Sequence, residues 1–117
     1  MEPDVLVKTS KITKKIFFEP VGTVLALLPW DFPVLDTVNT LVPAILCGNS
    51  VLLKDNPETP VFSEMFEKCV GEKAPGLAQK FFISTLDAES LYTGRKINYV
   101  VFSGTYESAI DIYYELG

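Results

Sequence analysis

Hydrophobic and polar positions alternate between two periods along this chain. Val21 to Leu28 (VGTVLALL) is a nearly continuous apolar run, the pattern of a strand covered on both faces, and it predicts a parallel sheet. Pro33 suits the first turn of a helix. Its apolar residues Val34, Leu35, Val38, Leu41, Val42, Ile45 and Leu46 recur at helical spacing until Gly48 stops it, and Pro43 should kink it or loosen its final turns. Ser50 to Lys54 reads as a second strand ending in the turn Asp55, Asn56, Pro57. Thr59 and Pro60 look like the N-cap and first position of a helix through Cys69. After the loop Glu72 to Gly76 come a third strand, Lys80 to Ser84, a short helix, Asp87 to Tyr92, and a fourth strand, Asn98 to Phe102. A final helix begins near Thr105. Strands and helices in strict alternation, with connections too long for hairpins, indicate βαβ units. The fold class expected is α/β, a partial doubly wound, Rossmann-like, mostly parallel sheet.

The last helix carries a second message. Glu107, Asp111 and Glu115 fall on one narrow face, while Tyr106, Ala109, Ile110, Ile112, Tyr113, Tyr114 and Leu116 cover more than half the circumference. Two readings follow, a well-buried helix with one solvated acidic stripe or a helix that binds a partner. A sheet expecting more chain after Gly117 would leave an edge or an apolar surface uncovered.

Bulk properties narrow the classes. A chain of 117 residues, 48% hydrophobic and 21% charged, has globular composition and room for one small core. The net charge of −5, with no basic cluster beyond Lys8, Lys11, Lys14 and Lys15, argues against nucleic acid as a partner, since affinity there rests on neutralising phosphates. Those lysines, beside Glu2, Asp4 and Glu19, read as a solvated, frayed N-terminal strip. This sets an N-terminal polar segment at 1–15 and a domain at 16–117. No stretch has the length and apolarity to span a bilayer, and the acidic opening does not suit a secretory leader, so a soluble cytoplasmic protein without membrane contact is expected. Two cysteines, Cys47 and Cys69, and no histidine leave no disulfide framework, no zinc site and no triad using histidine as base.

Binding chemistry in such a sheet gathers at strand C-terminal ends and helix N-termini, where unpaired NH groups attract phosphate. The usual GxGxxG fingerprint is absent, and GEKAPG lacks the Lys and Ser/Thr of a phosphate loop. Phe102, Ser103, Gly104 and Thr105 remain, at the junction of the fourth strand and last helix. Two hydroxyls and a glycine there can hold a pyrophosphate, or serve as a helix N-cap and tight turn.

Three motifs in order carry a family resemblance. EPVGTVLALLPWDFP, GNSVLLK and VVFSGT resemble EPLGVVxxIxPWNFP, GNxVVLKP and VxFTGS of the aldehyde dehydrogenase superfamily, and TVNTLVPAILCGNSVLLK looks closest to its semialdehyde dehydrogenase-like branch. The resemblance runs from about Lys15 onward and implies an NAD(P)-binding fragment, the first part of the cofactor domain of a much longer enzyme. Carried over by position, Leu28, Pro29 and Trp30 would line the cofactor cleft, Lys54 would reach the adenosine ribose hydroxyls, and Phe102, Ser103, Gly104 and Thr105 would meet the pyrophosphate. Read alone, Lys54 is an ordinary solvated strand-end lysine. In a complete enzyme of this kind the reaction is hydride transfer from a thiohemiacetal to nicotinamide.

Departures from the family pattern qualify the resemblance. Pro57 stands where many members carry a ribose-binding glutamate, leaving Glu58 as its substitute, and Ser84, Ala88 and Ala109 stand at family glycines. Asp31 occupies the position of the oxyanion-binding asparagine. An ionised carboxylate has no donor to offer, and losing one such donor is worth about 3 to 4 kcal/mol of barrier. The alternative role for Asp31 is to cap the first helix. The family's nucleophilic cysteine is implied to lie beyond Gly117, with Cys47 and Cys69 at buried structural positions. Glu115, Leu116 and Gly117 are similar to the start of the general-base motif, but they lie too close to Phe102 and continue the helix. The reading is a fragment unable to oxidise aldehydes alone, from a truncated gene, a split product or a pseudoenzyme, with no catalytic residue of its own. The alternative is a non-catalytic interaction module, forming a homo- or hetero-oligomer with a full-length relative through the uncovered sheet edge or the last helix.

Overall fold

The computed structural model describes residues 2–54, 56–83, 85–94 and 96–116. Six strands and four helices follow in order: β1 (Asp4–Lys8), β2 (Thr13–Ile16), β3 (Thr23–Leu27), α1 (Pro33–Leu46), β4 (Ser50–Lys54), α2 (Pro60–Gly71), β5 (Ala78–Phe81), α3 (Thr85–Thr93), β6 (Tyr99–Phe102) and α4 (Tyr106–Glu115). The last four strands make one parallel sheet in the order β5-β4-β3-β6. The α/β fold expected from periodicity is therefore the observed one.

Strand β3 is central, and its apolar run explains why. Val24 and Ala26 face the core beneath α1 and α2, while Leu25 and Leu27 face the opposite layer with Ala88 of α3 and Ile112 of α4. A strand buried on both faces cannot alternate with polar residues. The chain winds outward through α1, β4, α2 and β5 on one side, then crosses back through α3 to place β6 on the other side of β3. That reversal makes the β3–β6 boundary a topological switch point.

Local chemistry sets the ends of these elements. Pro33 occupies the first turn of α1, and the helix continues through Pro43 to Leu46. Gly48, at φ +88, then turns the chain toward β4, a conformation that L side chains rarely adopt. Buried Asn49 fixes this corner by accepting from the Gly22 amide at 3.0 Å and donating to the Ala44 carbonyl at 2.9 Å.

Four expectations are corrected. The N-terminal segment is not a frayed strip but an antiparallel hairpin, with Asp4 opposite Ile16 and Lys8 opposite Thr13, turned by the Thr9 hydroxyl accepting from the Ile12 amide at 3.0 Å. The hairpin is exposed throughout and touches the sheet sparsely. With it the radius of gyration is 17.1 Å, against about 13 Å for a compact chain of this length. The third strand begins at Ala78 rather than Lys80 because pairing with β4 starts there, with Ala78 opposite Val51; Ser84 lies outside the described residues, as does Asp55 of the turn after β4. Asp31 does not cap α1: Phe32 is the N-cap residue, with no side-chain cap bond, and Asp31 is exposed. Both cysteines are exposed rather than buried. Cys47 sits in the turn after α1, and α2 packs through Ser63, Phe66 and Val70, which turns Cys69 outward.

Helix α4 departs from the well-buried reading. None of its residues is buried, and Tyr106, Tyr113 and Tyr114 are each about three-quarters exposed. Among the described residues, no helix is long and apolar enough to cross a membrane.

Candidate functional site

The C-terminal ends of β3, β4 and β6 open into a cleft of about 450 Å³, a size within the ordinary range of small-molecule sites. Its floor is apolar, built from Leu27 at the end of β3 and Leu28 and Pro29 after it, with Ala88 and Ile112 from the helices. Helices α3 and α4 form the walls. The cleft exists at this place because α1, leaving β3, and α4, leaving β6, pack on opposite faces of the sheet at the switch point, so no crossover closes the gap above β3 and β6.

Seven of the nine candidate binding residues come together here. Leu28, Pro29, Lys54, Phe102, Ser103, Gly104 and Thr105 all line the cleft, although Ser103 lies 75 positions after Leu28 in the sequence. Trp30 and Glu58 lie outside this lining. Trp30 is 59% exposed beyond the end of β3, and the Glu58 amide donates to Asn56 Oδ1 at 3.1 Å in a tight turn that leaves Asn56, not Glu58, at the cleft.

The two hydroxyls at the β6–α4 turn are already engaged. Ser103 Oγ donates to Asp36 Oδ2 at 3.2 Å, tying this turn to the first turn of α1. Thr105 is the N-cap of α4, its Oγ1 accepting from the Ser108 amide at 3.4 Å and donating to Ser108 Oγ at 3.1 Å. The capping role foreseen for this turn is therefore real. It leaves the Tyr106 and Glu107 amides beyond reach of any intrahelical carbonyl, as first-turn amides are, so the helix start can still attract an anion. Gly104 lets the Phe102 ring fold over the turn: a Cβ there would fall 2.6 Å from Cζ of that ring.

Sequence reasoning missed part of the wall. Glu89 and Tyr92 of α3 and Ser108, Asp111 and Glu115 of α4 all face the cleft. The i, i+4 spacing of Asp111 and Glu115 showed a shared face, but the pattern alone did not say that the face borders a cleft and not open solvent. Burial pushes the Tyr92 phenol above its ordinary range, and the negative charges of Glu89, Glu115 and Asp111 push it further the same way. Chemically, the cleft can hold an amphipathic ligand with a flat apolar body on Leu27, Ala88 and Ile112, hydroxyls near Lys54 and Asn56, and an anion at the start of α4.

Comparison with known proteins places this architecture. The model of the aldehyde dehydrogenase family matches residues 2–117. The chain belongs to the aldehyde dehydrogenase family. Phenylacetaldehyde dehydrogenase of Pseudomonas fluorescens is 44% identical over 61 residues, 52% of this chain and 11% of that protein. Human retinaldehyde dehydrogenase 3 is 33% identical over 93 residues, 76% of this chain and 18% of its own length. A succinic semialdehyde dehydrogenase from Streptococcus pyogenes, solved with NADP+ as the cofactor, superposes with a TM-score of 0.86 at 24% identity, covering 98% of this chain and 25% of that one. The chain thus spans about a quarter of this structural relative and less of the curated ones. The fold it shares with aldehyde dehydrogenases is that of an NAD(P)-binding domain.

Proposed function

We propose that the cleft binds a nicotinamide dinucleotide, NAD or NADP, with the adenosine half between α3 and α4. The observation that carries this reading is the convergence of Leu28, Pro29, Lys54 and the Phe102–Thr105 turn on one cleft at the switch point. The residues present suit such a ligand. Ala88 and Ile112 offer apolar surface to a flat base, the Lys54 ammonium suits ribose hydroxyls, and the first amides of α4 beside Gly104 suit a pyrophosphate. When bound, the dinucleotide supplies a hydride acceptor; the residues of this chain bind and orient it. The cytoplasm is the compartment this reading assumes.

The same reading holds that these 117 residues do not oxidise aldehydes alone. Aldehyde oxidation in this family needs a thiolate beside the cofactor, and neither Cys47 nor Cys69 lines the cleft. Asp31 offers an exposed carboxylate where an amide donor would stabilise an oxyanion. Isothermal titration calorimetry with NAD and with NADP tests the binding. One saturable site is expected at millimolar ligand or below, with no aldehyde-dependent NADH absorbance; a folded sample showing no heat with either dinucleotide refutes it.

A second reading has its own observation. The outward face of α4 carries Tyr106, Tyr113, Tyr114 and Leu116, all exposed, next to β6 at the sheet edge. An interaction module pairing with a full-length relative would use that face. Analytical ultracentrifugation alone and with such a relative separates the readings, since a module without cofactor shows association and no dinucleotide heat.

A further inference from the structure

The charge of the cleft opposes that of its proposed ligand. Among the described residues its walls carry Glu89 from α3 and Asp111 and Glu115 from α4, against the single ammonium of Lys54. Lys54 is already partnered within the protein. A fourth carboxylate, Asp36, lies behind the β6–α4 turn and holds the Ser103 hydroxyl. Burial raises the Tyr92 phenol most, and Glu89, Glu115 and Asp111 all add to that shift from the same walls. NADP differs from NAD by one phosphate on the adenosine ribose, which adds about two negative charges at neutral pH.

We infer that this cleft discriminates against the phosphorylated ribose and takes NAD in preference to NADP, with Asp111 and Glu115 as the specificity-determining residues. The inference rests on the dinucleotide reading above and deepens it. Spaced i, i+4 on α4, the two carboxylates present their charge to the same wall of the cleft. Both side chains are exposed, so each pairwise repulsion is weakened by water. Several such pairs acting on a doubly charged phosphate still sum to about a tenfold difference in affinity at low salt. Apolar or shape-based selection, by contrast, would not respond to ionic strength.

The test is a calorimetric titration of the chain with NAD and with NADP, at about 0.01 M and about 1 M salt, where the Debye length falls from about 30 Å to about 3 Å. NAD should bind about tenfold more tightly at low salt, and the ratio should approach one at high salt. In the double variant Asp111→Asn, Glu115→Gln, both affinities should rise, that for NADP more, narrowing the ratio at low salt by about threefold or more. The salt series on the unaltered chain stands even if the variant does not fold. Equal or tighter binding of NADP at low salt, or a ratio that neither salt nor the variant moves, overturns the inference while leaving the dinucleotide reading in place. No binding of either dinucleotide overturns both.

Discussion

On the α1–α2 side of the sheet the helices close over the strands: Leu41 and Thr37 of α1 are almost completely buried, Leu41 in one cluster with Val24, Ala26 and Val51. On the α3–α4 side, Ala88 is the buried helical residue among those described, and α4 rests on the sheet through half-buried Ile112 while its tyrosines face outward. Both sides receive apolar residues from the same strand, β3. The difference teaches that one layer closes over the sheet, while the other keeps a core around Leu25 and Leu27 but opens into a cleft at the strand ends near the switch point.

Mutations should expose this asymmetry in order of size. Leu41→Ala removes a fully buried side chain and should cost about 3 kcal/mol, against about 1 kcal/mol for Ile112→Ala on the open side. Equal shifts in urea midpoint would break the comparison. Asn49→Ala should cost about 2 kcal/mol, because it orphans the Gly22 amide and removes the side-chain donor to the Ala44 carbonyl, which keeps only the backbone amide of residue 49, at the corner between α1 and β4. Hydrogen exchange should then accelerate on β3 and β4 before it does on α4. Thr105→Ala removes the cap of α4 and should cost about 1 kcal/mol, with fraying confined to that helix by NMR shifts. A spread of the effect into α1 would show that the two sides are not independent.

The smallest effect is a pH dependence. The folded-state Tyr92 phenol titrates above its ordinary value of 10.0, so above that pH the folded state holds a proton that the unfolded chain has lost. The contribution is fully present below pH 10.0 and declines as pH rises through the folded value. Denaturant midpoints should therefore fall more steeply above that pH than in Tyr92→Phe. Identical alkaline profiles would remove Tyr92 from the account.

Much of this was legible in the order of residues. The unbroken apolar run of β3 announced a two-sided strand, Pro33 and Gly48 marked the limits of α1, and the family resemblance of the three ordered motifs implied one cleft for residues far apart in the chain. What was not legible depended on neighbours in space. Asp31 sits where a cap residue would, yet the chain enters α1 through Phe32. The α4 acidic stripe is solvated as expected, but a helical wheel shows which residues share a face, not that this face borders a cleft. Exposure of Cys69 followed from the side of α2 that meets the sheet, which Ser63, Phe66 and Val70 decide together.

The central claim is that the open side of the sheet is a dinucleotide site. Amide chemical shifts of the chain, followed while NAD is added, test it most directly. The account predicts saturable shifts clustered at Lys54, Ala88, Tyr92, Gly104, Ser108 and Ile112, the residues that meet at the ends of β4 and β6 and on the facing helices. Shifts centred instead on Thr23, Gln79 and Ile97, which line a separate cavity at the opposite end of the strands, or no saturable shifts at all, would contradict it.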